Sequence, residues 1–429
     1  MPAPHSNNAS PFVDRCALAV LALVAAVALW THGDYAGPAH AWSRALSWLP
    51  PPFHDPVLSG LAAGLAGLAL TWRTACRLAG PMGGLIALVL LASTPLAYGA
   101  MFIHPADTAF AASYALLLLG LIRAIEQWPR PSPATLAIVL LGCASVTALW
   151  PWPVQSAEAL FGGRIVDLAD PPATYGPTLL ALKLPEIFLA LALAGLAIAV
   201  ARILRDTGTI ERRAMLALVA FAVVLPLAMS MIARPPIAGI ETYLFILPPL
   251  AIAAGIAAGW AMSRIASDDR RLRAVAAAAL MLGLLPPVTA MGRMHPYQHA
   301  AFNELAGGLR AMRPSYTLDA PGLSLREAAQ ILTADLNARG ETPPADRPWR
   351  VGICGPQSPA QSALDARFEL TADPKGAEFA LMLGEFYCAG LDAPQLAPVE
   401  RDGAILARVY DLRGRKIEHL FMRGAPAPR

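Results

Sequence analysis

The chain has 429 residues, 56% of them hydrophobic and only 15% charged, with a mean hydropathy of +0.49. Soluble domains carry about a quarter charged residues, so lipid is the expected solvent for most of this chain. A net charge of +3, with the arginines scattered to the ends of apolar blocks, excludes a nucleic-acid surface as the organising feature.

Apolar runs of bilayer-crossing length predict nine transmembrane helices, near residues 14–31, 56–72, 82–99, 108–125, 134–150, 178–202, 214–233, 242–262 and 274–292. The first has no small-residue cleavage site before the polar loop at Thr31 and reads as a retained anchor. Basic residues accumulate on the cytoplasmic side of a membrane. An N-terminus inside gathers thirteen arginines there: Arg15, Arg73, Arg77, Arg123, Arg130, Arg202, Arg205, Arg212, Arg213, Arg264, Arg270, Arg271 and Arg273. The opposite loops hold Arg44, Arg164 and Arg234, with Lys183 just inside the sixth span. The expected protein is therefore a polytopic α-helical protein of a bacterial inner membrane, with its C-terminal part outside.

From Arg293 onward the apolar runs shorten and turn residues recur, which predicts a membrane region over 1–292 and a periplasmic α/β domain over 293–429. Trp349–Cys354, Ala377–Leu383 and Ala404–Tyr410 read as strands. Ser324 to Asn337 has helical spacing, with Ser324 and Glu327 forming a capping box. Cys354 and Cys388 stand at strand ends in a compartment where a disulfide can persist, while Cys16, Cys76 and Cys143 lie in or beside spans as small apolar groups.

Ionisable groups at the outer ends of spans are costly unless paired or used. Asp34, in the first outer loop, has the chemistry of a general base or metal ligand, and equally that of a loop acid or helix cap. Asp107, in His104-Pro105-Ala106-Asp107-Thr108, reads as the N-cap of the fourth span or as a second acid of a site. Lys183 either binds a phosphate at the membrane surface or snorkels. Arg234, Glu241, Arg293 and His295 are further outer-edge groups, and a lipid-linked phosphate needs cations from among them. The chain carries no Gly-rich phosphate loop, no Gly-x-Ser-x-Gly elbow and no His-Glu-x-x-His sequence.

Five stretches resemble GT-C type membrane glycosyltransferases related to glycosyltransferase family 39, the protein O-mannosyltransferase and aminoarabinose-transferase-like enzymes. They are Cys76 to Pro81 with Tyr98 to Asp107; Leu160 to Gly163 with Leu182 to Pro185; Ile240 to Leu250; His295 to Gly308; and Ser324 to Ala328. The resemblance implies an outer cavity where a sugar leaves a polyprenyl-phosphate donor for an envelope lipid, glycan or protein. It also implies that Asp34 is the base, that Asp107 assists, and that Lys183 binds the carrier phosphate with Arg234, Arg293 and His295 as further cations. A divalent cation, if used, would sit on Asp34 and Asp107. Two departures stand out: Asp34 is followed by Tyr35 and not by a second acid, and Glu241-Thr242 stand where many relatives carry Arg-His. The alternative is a catalytically inactive polyprenyl-lipid-binding or scaffolding protein. The enzyme reading expects Asp34, Asp107 and Lys183 to line one outer cavity.

Overall fold

The structure is a computed structural model that describes residues 11–35, 55–150, 158–205, 207–265 and 269–422; Arg44 lies outside them. The helices of the membrane region are α1 (Pro11–Thr31), α2 (Pro56–Ala92), α3 (Pro95–Ile103), α4 (Pro105–Glu126), α5 (Pro133–Ala148), α6 (Tyr175–Lys183), α7 (Glu186–Leu204), α8 (Ile210–Ala233), α9 (Leu247–Arg264) and α10 (Arg270–Arg293). A short hairpin, β1 (Glu158–Phe161) with β2 (Arg164–Asp167), precedes α6. Among the described residues, seven helices are long and apolar enough to cross a membrane, counting Val57–Ala92 as one. The protein is a multi-pass helical membrane protein.

Proline placement explains where these helices differ from the expected spans. Pro cannot donate an N–H and disfavours helical backbone in the residue before it. At Gly80-Pro81 the backbone leaves the helix, with Gly80 at φ 76°. A Cβ on Gly84 would come within 3.0 Å of the Cys76 nitrogen and 3.1 Å of the Trp72 carbonyl oxygen. In a straight helix those atoms would lie roughly 12 and 18 Å away along the axis, so α2 folds back on itself and its halves are the second and third expected spans. The third is interrupted again before Pro95, and the sixth before Pro185. The expected 242–262 helix begins as a 3₁₀ turn, Ile240–Ile246, before α9. Asp107 is not the cap of α4: that helix starts at Pro105 after His104, so Asp107 lies in its first turn.

The arginine-rich ends meet. Arg212, in the first turn of α8, donates to the carbonyls of Arg77 and Leu78, and Arg77 pairs with Glu126 at the end of α4. Arg212 thereby caps carbonyls that the break at Gly80 would leave unpaired. Small residues let the central helices touch. A Cβ on Gly255 of α9 would stand 2.6 Å from the Gly83 carbonyl oxygen of α2, and one on Gly195 of α7 would collide with the Ala253 carbonyl.

Beyond α10 lies a five-stranded sheet, β3 (Trp349–Cys354), β4 (Phe368–Thr371), β5 (Phe379–Leu383), β6 (Gln395–Arg401) and β7 (Ala404–Asp411), in the order β4-β3-β5-β7-β6. The pairs β3/β4 and β3/β5 are parallel and the remaining pairs antiparallel. Val351, Ile353, Phe379 and Leu381 face α11 (Ser324–Arg339), while Ala380 and Met382 lie under Leu412, Ile417 and Leu420. The three expected strands are present, and β4, β6 and the β1/β2 hairpin are additional.

The expected capping box is absent. Ser324 is already helical and does not cap the helix, whereas Asp319 accepts the N–H groups of Leu323 and Ser324 at 3.1 and 2.8 Å. Glu327 turns away to Tyr297 and Arg401, at 2.6 and 2.7 Å. Cys354 and Cys388 form a disulfide across 34 residues.

Two outcomes follow from this packing. Gly255→Leu forces α9 off α2 and lowers thermal stability in detergent by about 1–3 kcal/mol, read as an earlier melting transition. Replacing Cys354 and Cys388 together by Ser removes a loop constraint of about 3 kcal/mol, read as faster proteolysis of the region after Arg293.

Candidate functional site

A cavity lies where α3 and the C-terminal end of α6 meet the 3₁₀ turn Ile240–Ile246, the β1/β2 hairpin and residues 316–321. Its polar lining comes from Lys183, Glu241, His104, His299, Glu158 and Thr317, and its aromatic lining from Tyr175 and Tyr316. The lining mixes apolar and aromatic side chains with a few polar groups, as small-molecule sites do.

Lys183 is held there by the way α6 stops. Pro185 ends the helix and leaves its last carbonyls without intrahelical donors. Asn303 supplies them: its side chain donates to the Ala181 and Leu184 carbonyls at 2.7 and 2.9 Å, and its backbone N–H to Leu182 at 2.8 Å. This docks the chain 298–303 against α6. Lys183 Nζ then donates to the His299 carbonyl at 2.8 Å and lies 4.2 Å from the centre of the Phe302 ring. The side chain is buried. A second, smaller hollow between the N-terminal end of α7 and the C-terminal part of α10 is also lined by Lys183, with Pro185, Pro286 and Phe302.

Helix α3 divides the outer face. Leu96, Ala100 and His104, one turn apart, line the cavity. Tyr98 and Phe102, on the opposite face, turn towards the first outer loop, where the Tyr35 ring stacks on Phe102 with centroids 4.1 Å apart. Asp34 stands beyond this wall: its carboxylate meets His295 Nε2 at 2.8 Å, and Arg326 donates to the Gly33 and Asp34 carbonyls. Asp34 therefore does not line the cavity that holds Lys183. Asp107 is not a lining residue either, although it lies close to His104 and Glu241, which are.

The other expected cations are engaged elsewhere. Arg234, in a left-handed turn after α8, pairs with Asp170 at 3.1 Å. Arg293 pairs with Glu304 at 3.1 Å and Asp402 at 3.5 Å, and His295 is taken by Asp34. Of the four, Lys183 alone is among the residues lining the cavity. Asp34 and Asp107 share no partner, and among the described residues no group of three or more His, Cys, Asp or Glu side chains forms a metal site. The residues present do not fit the divalent-cation site on these two acids.

The roof of the cavity hangs on two buried acids. Glu385, just after β5, accepts the N–H groups of Leu318 and Asp319, each at 2.9 Å, and so holds the segment bearing Leu318, Ala320 and Pro321. Asp319 in turn holds His299 Nε2 at 3.1 Å. Burial alone would raise Asp319, but its bonds from His299 and Ser324 win and lower it. Burial dominates at Glu385 and pushes it up to about 7.

Sequence reasoning did not single out His299, Tyr175, Tyr316 or Glu158 as lining residues. His299 carries the one available signal, lying four residues after His295 in the same polar segment.

No protein-family model matches the chain, and no curated protein does. A solved structure, ArnT from Cupriavidus metallidurans bound to undecaprenyl phosphate, is similar over 87% of this chain and 87% of that one, with 15% identity and a TM-score of 0.31. No residue role is taken from so distant a likeness.

Glu385 binds a proton more tightly folded than unfolded, so its contribution to stability is complete below its unfolded value near 4.5 and is lost as pH rises through about 7. Glu385→Gln removes this slope: between pH 4.5 and 7 the variant gains on the wild type by an amount on the order of 3 kcal/mol, read from melting curves in detergent across that range.

Proposed function

We propose that this protein transfers a sugar from a polyprenyl-phosphate donor to an envelope acceptor at the outer face of a bacterial inner membrane. The observation that carries this reading is the cavity itself: a buried lysine and a carboxylate that has no partner among the described residues line one space at the ends of the helices. An ammonium there offsets the charge that develops on a departing phosphate, and burial strengthens the effect. The proposal includes nine crossings with the N-terminus inside, the membrane region over 1–292 and the outer domain over 293–429. The convergence of Arg77, Arg212 and Glu126 at one end of the bundle supports that orientation, as does a disulfide at the other end. Sugar transfer inverts the anomeric carbon, since one displacement by the acceptor hydroxyl suffices.

A second reading has its own observation. Lys183 donates to the His299 carbonyl and approaches that of Ala301 at 3.5 Å, contacts that suit a structural clamp in a non-catalytic polyprenyl-lipid-binding protein.

Lys183→Met separates the two. The enzyme reading expects transfer to fall by at least about a hundredfold, with polyprenyl phosphate no longer released from the donor. Mass spectrometry of envelope lipids and glycans from cells with the wild-type gene, the variant and no gene reads the outcome. Identical profiles in all three remove the transfer reading.

A further inference from the structure

Six acids bear on such a site: Asp107 does not line the cavity and Glu158 lines it from an exposed position of the hairpin, which leaves four to be ranked by what already holds each carboxylate. Asp34 is bound by His295 and lies across α3 from the cavity. Asp319 is committed to His299 and to two backbone N–H groups, and Glu385 to two others. Glu241 differs from all three. It lines the cavity from the first turn of the 3₁₀ segment Ile240–Ile246, and among the described residues its carboxylate has no hydrogen bond and no ion pair. Its place is built by its neighbour. A Cβ on Gly239 would stand 2.6 Å from Glu241 Oε2 and 2.7 Å from Oε1, so the carboxylate occupies the space that a side chain at 239 would fill.

We infer that Glu241, and not Asp34, is the catalytic base: its carboxylate takes the proton of the acceptor hydroxyl while Lys183 faces the carrier phosphate in the same cavity. The inference rests on the transfer reading above. The acceptor oxygen forms the new bond to the anomeric carbon, and the bond from that carbon to the phosphate oxygen breaks. Its electron pair leaves with the phosphate as polyprenyl phosphate, and the hydroxyl proton passes to Glu241. Lys183 donates to the leaving phosphate and keeps its own proton. Both groups line the cavity without forming an ion pair with each other. A bound donor and acceptor would take the space between them, where a salt bridge would exclude both.

This chain supplies an acid beside Lys183 in the cavity, while Asp34 is walled off from it by Tyr98 and Phe102.

The test uses full-length protein in detergent or vesicles, a panel of undecaprenyl-phosphate-linked hexoses and pentoses, and envelope extract from cells lacking the gene, with release of undecaprenyl phosphate as the readout. Glu241→Gln keeps the size of the side chain and is expected to lower kcat by at least about a hundredfold while leaving donor KM within about threefold. Glu241→Asp restores part of the loss, and Gly239→Ala, which crowds the carboxylate without removing it, lowers kcat in the same direction. Melting temperatures of the variants confirm that each is folded. If Glu241→Gln keeps wild-type kcat while Asp34→Asn loses it, the base is Asp34 and the inference is overturned. If the wild type releases nothing with any donor, the transfer reading fails and the inference fails with it; activity that survives at Glu241→Gln removes the inference alone.

Discussion

The junction between the helices and the segment that follows them is organised around a buried ammonium. Taking Lys183 out of water is expensive unless its charge is met by oriented oxygens and a polarisable ring. The His299 carbonyl and the Phe302 ring supply both. They can do so only because α6 ends at Pro185, where Asn303 fills the vacated hydrogen bonds and draws residues 298–303 against the helix. One proline, one asparagine and one lysine thus join the membrane helices to the chain that leads into the outer domain.

The same economy recurs in the roof. Asp319 starts α11 and orients His299, and Glu385 fastens the Asp319 segment to the end of β5. The parallel strands β3 and β5 point their carboxyl ends towards this junction, the end of a parallel sheet where loops gather to form sites. The cavity is therefore bounded by helices, the β1/β2 hairpin and residues 316–321, and its shape depends on buried polar contacts that hold those residues to the sheet. Such contacts are directional, so the cavity has a defined form where an apolar interface would slide.

The helix α3 gives the outer face two compartments. Alternate faces of nine residues separate the Lys183 cavity from the Asp34–His295 cluster. Asp34, His295 and Arg326 together tie the first outer loop to α11, a structural use of residues whose types equally suit catalysis. Glu241, by contrast, has every property of a structural acid in sequence and none of the partners of one in the fold.

Much of this protein is legible from residue order. Apolar runs of bilayer length, arginines at alternate ends and a change of texture near Arg293 are one-dimensional signals, because a membrane imposes its thickness on the chain directly. The strands β3, β5 and β7 were visible for a related reason, being mostly buried and mostly apolar. The polar edge strands β4 and β6 were not, since pairing and not composition makes them strands. The cap of α11 misled because Ser324 and Glu327 satisfy the local rule while an acid five residues upstream does the work. The site followed the same pattern. Lys183 was visible as a charge in an apolar run, but which carboxylate shares its cavity depends on the face of α3 each loop meets. Local sequence determined the solvent, the helices and the lysine; tertiary structure decided which acids are held by partners and which face the cavity, because partners come from segments far apart in the chain.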